Sequence, residues 1–257
     1  MDTIVIVNRS SVADAEISNI IPALQAQVSQ DFAPVWGVDA TIEFVAKRAH
    51  APHGAWELEV FDHTDVQGAG GYHVDENGRV SGKAFWVDAV AAGEQPSVDV
   101  SHEMLEMLAD PTTATMVDLQ GQWQGYQCLR EVCDAVESDA LGYSKPGVDG
   151  TAVLLSDFVL PAYFFQGQPS AGKYDFRGQI GGAAPTLLQG GYLGIYDPTT
   201  GKWSQVSDFD LATGRRSRRA LRHGRTAWHI KNALALGRHQ TRIKNSLRIL
   251  EAMPSRR

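Results

Sequence analysis

Cysteine is scarce in this sequence: only Cys128 and Cys133 occur among 257 residues. Two cysteines are too few for a disulfide framework or for a zinc site made of four thiolates. We therefore interpret them as two buried thiols of a cytoplasmic protein, with a single disulfide between them as the alternative.

Long hydrophobic runs are also missing. No run of about 18 or more apolar residues occurs, which argues against a membrane-spanning helix. The apolar stretch at residues 3–7 has no basic residues before it, so it is typical of a first strand and not of a signal peptide. We expect a cytoplasmic protein with no membrane partner.

Basic residues are rare over most of the chain and concentrated at its C-terminal end. Residues 215–257 hold 13 of the 23 Lys and Arg residues and one acid, Glu251, which gives +12 (13 − 1). Residues 1–214 hold the other 10 bases and 29 acids, which gives −19 (10 − 29). The basic tail is a candidate to bind nucleic acid, an assembly partner, another copy of the chain or its own acidic body. The alternative is a solvated, flexible extension.

The pattern of apolar residues indicates an α+β fold. Apolar residues spaced three and four apart predict a helix over about 12–28, interrupted at Pro22, and a second helix from about Val98 to Ala109. Residues 66–82 contain five glycines and are predicted to form a loop or hairpin. Strands are predicted at 3–7, 41–45, 56–61 and 84–90.

We divide the chain into three parts. Residues 1–140 are expected to form a metal-binding domain, and residues 141–213 a Gly-rich, β or irregular continuation that completes it. Residues 214–257 are expected to form the basic tail, with helical patches.

The second predicted helix carries the residues His102-Glu103-Met104-Leu105-Glu106. At 3.6 residues per turn, His102 and Glu106 share one face, where both can bind one ion. Glu103 lies beside them and can polarise a metal-activated water. This is the arrangement of His-Glu-x-x-His with glutamate in place of the second histidine. Zinc accepts a carboxylate ligand, although carboxylates also suit harder ions such as Mn and Mg. We expect a divalent metal, with zinc as the first candidate.

A second acidic cluster follows within about 30 residues of the helix and can supply a third ligand. It contains Glu131, Asp134 and Glu137 at helical spacing. An aspartate just after a glutamate ligand is suited to orient a metal-bound histidine. Spacing does not decide which of Glu131 and Asp134 binds the metal.

Other interpretations of these residues stay open. An acidic stripe on an amphipathic helix is usually a solvated face. His53, His63 and His73 lie in or near predicted loops and are weaker metal candidates, since lone histidines are more often surface or core residues.

Several stretches resemble a group of bacterial and phage-encoded proteins described as zincin-like metallopeptidases. The order of strand, helix, three strands and motif helix is also that of zincins. The resemblance covers about residues 1–205 and leaves the basic tail outside. The stretches that carry it are 31–37, 71–73, 100–111, 131–134 and 156–164.

The resemblance implies a zincin-like fold, in which a twisted mixed sheet has a backing helix and an active-site helix. It also implies a metal site at His102, Glu106 and the Glu131/Asp134 pair, with Glu103 as catalytic base. The expected function is a metal-dependent hydrolase, a metallopeptidase acting on a peptide or protein substrate. The alternative is a non-catalytic zincin-fold structural or binding protein of a phage or bacterial assembly, which would be virion-associated if phage-encoded.

Overall fold

The structure is a computed structural model that describes residues 2–66, 69–76, 78–168 and 171–208. The predicted basic tail and its helical patches lie outside the described residues. The rest mixes several sheets with a few helices, so the α+β prediction is confirmed. Across the described ranges, no helix is both long enough and apolar enough to cross a membrane.

A five-stranded mixed sheet forms the first half of the molecule, in the order β2-β1-β3-β5-β4. Strand β1 is parallel to β2 and β3, and β3 is parallel to β5, whereas β4 pairs with β5 in antiparallel orientation at the edge. The Ile4–Val7 stretch of β1 is buried, as expected for a central strand covered on both faces. The strands are β1 (Asp2–Asn8), β2 (Ala40–Val45), β3 (Trp56–Phe61), β4 (Gly71–Glu76) and β5 (Arg79–Phe85).

The predicted helix over 12–28 is broken, and it is followed by further helical turns. Pro22 lies in the first turn of the second piece, where its missing N–H costs nothing, so the interruption predicted there is confirmed. The helical segment ends at Gly37, whose φ of 73° lies in the left-handed region that favours glycine. Its pieces are α1 (Asp14–Asn19), α2 (Ile21–Ala26), a π-helical turn (Gln27–Phe32) and α3 (Ala33–Trp36).

The strand predicted at 84–90 is wrong beyond Phe85, because a helix, α4 (Trp86–Ala92), begins there. The N–H groups of Val87 and Asp88 both donate to the carbonyl of Asp62, which turns the chain away from the sheet. The apolar run contains two β-branched valines and therefore looked like a strand. Its buried residues, Trp86 and Ala89, are nevertheless spaced three apart, as on a helix.

The motif helix, α5, extends over Pro96–Ala109, and every residue in it is buried. It begins two residues before the predicted start, with Pro96 in its first turn, and ends at the predicted residue. Gly82 of β5 allows a close approach to the sheet. A Cβ there would lie 2.8 Å from Leu58 Cδ1 and 3.0 Å from Met107 Sδ. The helix is thus held tightly against β5, with β4 beside it.

Residues 116–208 add a second sheet, a hairpin and a short helix. The second sheet is antiparallel, in the order β11-β10-β7-β6, and the hairpin joins β8 to β9, which packs against α5. One hydrophobic core includes Ile4 of the first sheet and Ile195 of the second. The elements are β6 (Met116–Asp118), β7 (Gln127–Leu129), β8 (Tyr143–Pro146), β9 (Ala152–Leu155), α6 (Pro161–Phe164), β10 (Tyr192–Asp197) and β11 (Lys202–Ser207).

Two buried carboxyl groups meet where the chain leaves β9. Asp175 accepts hydrogen bonds from the N–H groups of Gln179 and Ile180, each at 2.9 Å. Burial raises the pKa of Asp157 to about 8, with further contributions from its hydrogen bond to Asp175 and from the charge of that residue. A carboxyl with a raised pKa stabilises the fold when protonated, and this contribution is lost as the pH rises through the folded-state pKa.

We therefore expect Asp157→Asn to stabilise the protein increasingly, relative to the wild type, as the pH rises from about 4 to about 8. Asparagine keeps a donor toward Asp175 and cannot ionise. Urea unfolding of both proteins across this range measures the difference. Asp2→Asn, at an exposed position of β1, is the matched control and should show no such trend. A difference that does not change with pH would contradict the raised pKa of Asp157.

Candidate metal centre

The middle of the motif helix carries three polar side chains that are buried in the protein. His102, Glu103 and Glu106 are all buried, none exposing more than 2% of its surface. His102 Nε2 lies 3.1 Å from Glu106 Oε1, one helical turn away. The face shared by His102 and Glu106 is therefore not a solvated stripe, because it points into the protein.

The second acidic cluster lies opposite this face, in the segment that follows β7. The N–H of Cys133 donates to Glu106 Oε1 at 3.2 Å, and Asp134 Oδ1 lies 3.3 Å from His102 Nε2. The segment is pinned there because Val159 donates its N–H to the carbonyl of Val132 at 2.7 Å. The acidic residues of this cluster are spaced as on an α-helix, but only a short 3₁₀ turn, Asp134–Val136, forms here.

His73, only a weaker metal candidate in the sequence, completes the cluster. His73 lies on the edge strand β4 and is fully buried, with Nδ1 3.4 Å from Glu103 Oε2 and 3.9 Å from Glu106 Oε2. Gly71, two residues earlier, faces the same way: a Cβ there would lie 2.6 Å from Glu103 Oε1. The alternation of Gly71 and His73 is a strand signal, but it lies in a segment whose glycines made a loop equally plausible. By contrast, His63 is largely exposed and contacts Asp88.

Within the described residues, two groups of side chains are geometrically able to hold a metal ion. In each group, one ligand atom per residue lies within 4.8 Å of the others. All members are buried, and Glu106 belongs to both groups. The groups are His102–Glu106–Cys133 and His73–Glu106–Glu131.

The two cysteines are both free and buried, as predicted, so the disulfide alternative is excluded. Cys133 is in one of the ligand groups, a role not predicted from the sequence, whereas Cys128 is in neither. Burial raises the pKa of both thiols, that of Cys128 to about 12. Metal coordination is the usual way to deprotonate a thiol in such a place.

Comparisons of the chain with protein-family models, with curated proteins and with solved structures give no match.

The electrostatics of the centre favour a cation. Both carboxylate oxygens of Glu131 are buried, and neither has a hydrogen-bond partner in the described structure. Burial, followed by the charges of Glu106 and Asp134, raises the pKa of Glu131 well above its usual range. Burial also raises the pKa of Glu106, against the opposing effect of His102. A buried carboxylate without a partner is costly, so these donors fit a divalent metal ion.

The histidine on the edge strand responds to the same charges. Burial lowers the pKa of His73, but the hydrogen bond to Glu103 and the charges of Glu103 and Glu106 outweigh it, so the pKa is raised. Without a metal ion, protons therefore neutralise the centre, on the histidine as well as on the carboxylates.

We expect the metal-free protein to lose stability as the pH rises from about 4 toward 8. The folded-state pKa values of Glu106, Glu131 and His73 are raised, so each contributes stability at low pH that disappears as it loses its proton. Urea unfolding of chelator-treated protein across this range measures the slope. Glu131→Gln should flatten it, and loading with zinc should reverse most of the loss. An identical slope with and without metal would argue against a metal centre.

Proposed function

We propose that this protein is a metal-dependent hydrolase, a zincin-like metallopeptidase that binds zinc at the centre around Glu106. The observation that carries the proposal is the position of Glu103. It follows His102 on the motif helix and contacts His73, yet it belongs to neither ligand group. A carboxylate beside a metal centre, and not needed as a ligand, is placed to act as a general base.

The donor set supports zinc. Imidazole, carboxylate and thiolate are all zinc ligands, and a thiolate disfavours Mg and Ca. Glu106 belongs to both groups, and it was expected from the sequence together with His102 and Glu131. His73 was a weaker candidate, and Cys133 is an addition. Asp134 belongs to neither group, and its Oδ1 lies 3.3 Å from Nε2 of His102, the same nitrogen that faces Glu106, so it lies beside the metal position and does not hold the imidazole from its other nitrogen.

The metal ion, Glu103 and His73 would have different roles during hydrolysis. A bound divalent ion supplies Lewis acidity to the carbonyl under attack and lowers the pKa of the attacking water. Glu103 accepts a proton from that water and returns it to the leaving amine. His73 Nδ1 and Glu103 Oε2 lie within hydrogen-bond distance, at 3.4 Å, and this contact holds the carboxylate in place.

The architecture supports the zincin-like interpretation. A mixed sheet with an antiparallel edge strand lies against the motif helix, and the segment from α1 to α3 packs elsewhere on the sheet. These features accord with the fold expected from the resemblance, in which a twisted mixed sheet has a backing helix and an active-site helix.

We expect Glu103→Gln to lower the kcat for proteolysis of an unfolded protein substrate by about 10²–10⁴-fold, because glutamine cannot accept a proton. Zinc content, measured by elemental analysis, should stay unchanged, since Glu103 is not a ligand in either group. Glu43→Gln, at an exposed position of β2, is the matched control and should keep wild-type activity. Wild-type activity in a zinc-loaded Glu103→Gln protein would contradict the proposal.

One observation favours a second candidate, a non-catalytic protein with a structural metal centre. His73, His102, Glu106 and Glu131 are each at most 3% exposed, and closed coordination is typical of structural zinc sites. This role predicts that wild-type protein binds zinc, shows no hydrolytic activity and unfolds on zinc removal. Glu103→Gln would then change nothing except local packing. Activity that depends on Glu103 excludes this candidate.

A further inference from the structure

We propose that the centre holds two divalent ions bridged by the carboxylate of Glu106. The inference rests on the proposed function, because it concerns the same metal centre. One ion would be held by His102, Glu106 and Cys133. The other would be held by His73, Glu106 and Glu131.

The two oxygens of Glu106 face different partners. Oε1 lies 3.1 Å from His102 Nε2 and accepts the N–H of Cys133 at 3.2 Å. Oε2 is the oxygen nearest His73, at 3.9 Å from its Nδ1. A carboxylate oriented in this way can give one oxygen to each ion, which is the bridging arrangement of two-metal sites.

The closest pair of donors has a spacing that suits metal coordination. Ligand atoms about 2.1 Å from a tetrahedral ion lie about 3.4 Å from one another. The 3.1 Å separation of His102 Nε2 and Glu106 Oε1 is close to this value. Each group supplies three donors within 4.8 Å, the number that leaves a coordination position for water or substrate.

Charge favours two ions over one. Four carboxylates, from Glu103, Glu106, Glu131 and Asp134, are buried together. Among the described residues, the ion pairs of Glu103 and Glu106 are with histidine alone, and Glu131 has neither an ion pair nor a hydrogen bond to its carboxylate. The thiolate of Cys133, which coordination deprotonates, adds a fifth negative charge. One divalent ion offsets two of these five charges, and two ions offset four. Buried charge left unbalanced is strongly destabilising.

The two positions differ in chemistry and should therefore differ in metal preference. The position with Cys133 has imidazole, carboxylate and thiolate donors, which select zinc. The position with Glu131 has one imidazole and two carboxylates, which also accept a harder ion such as Mn. The structure thus assigns a thiolate-containing position specific for zinc or cobalt and a second, more permissive position.

The test is the number of ions bound by the full-length chain. Metal-depleted protein is titrated with Co²⁺, and bound cobalt is measured by elemental analysis after removal of the excess. We expect two ions per chain and a thiolate-to-cobalt charge-transfer absorption band. Cys133→Ser should bind one ion and lose the band, and Glu131→Gln should bind one ion and keep it.

Cys128→Ser is the matched control, because Cys128 is a buried thiol outside both groups. It should bind two ions and keep the band. If Cys133→Ser fails to fold, the wild-type stoichiometry and the Glu131→Gln variant still decide the question. One ion per chain in the wild type overturns the two-ion inference and leaves the proposed function standing, whereas no bound ion overturns both.

Discussion

The burial of several carboxylates against two histidines is the constraint on which this structure depends. Glu106 lies at its centre, in contact with His102 on its own helix, with the backbone of Cys133 and with His73 on the sheet edge. Removing these charges from water is costly unless a cation compensates for them. The proposed metal ion would account for their convergence in a way that packing cannot, since buried side chains of this size are usually apolar.

The rest of the fold places three separate pieces of chain around that point. Helix α5 packs closely on β5 because Gly82 has no side chain, and Gly71 allows the edge strand to pass beside Glu103. The segment after β7 is held over the helix by the bond from Val159 to Val132. Each piece brings its own donors, so the centre forms only when sheet, helix and segment are assembled. Metal binding and folding are therefore expected to be coupled.

The sequence predicted those parts of the fold that depend on local pattern. Apolar stretches, β-branched in the first case, predicted the first three strands, and spacings of three and four residues predicted the motif helix. The convergence of His102 and Glu106 follows from helix geometry alone. His73 was only one of three weaker metal candidates and Cys133 was not a candidate, because their positions depend on strand pairing and chain reversal, which bring distant residues together. The strand predicted at 84–90 was wrong beyond Phe85, where backbone contacts with Asp62 outweighed local propensity.

The most direct test of the central claim is anomalous X-ray diffraction from crystals of zinc-loaded protein, recorded on both sides of the zinc absorption edge. The account predicts an anomalous peak within about 2.0–2.2 Å of a carboxylate oxygen of Glu106, with imidazole nitrogen from His102 or His73 in the same coordination shell. The absence of a peak at this cluster, together with Glu131 hydrogen-bonded to protein groups, would contradict the claim that these buried carboxylates exist to hold a metal.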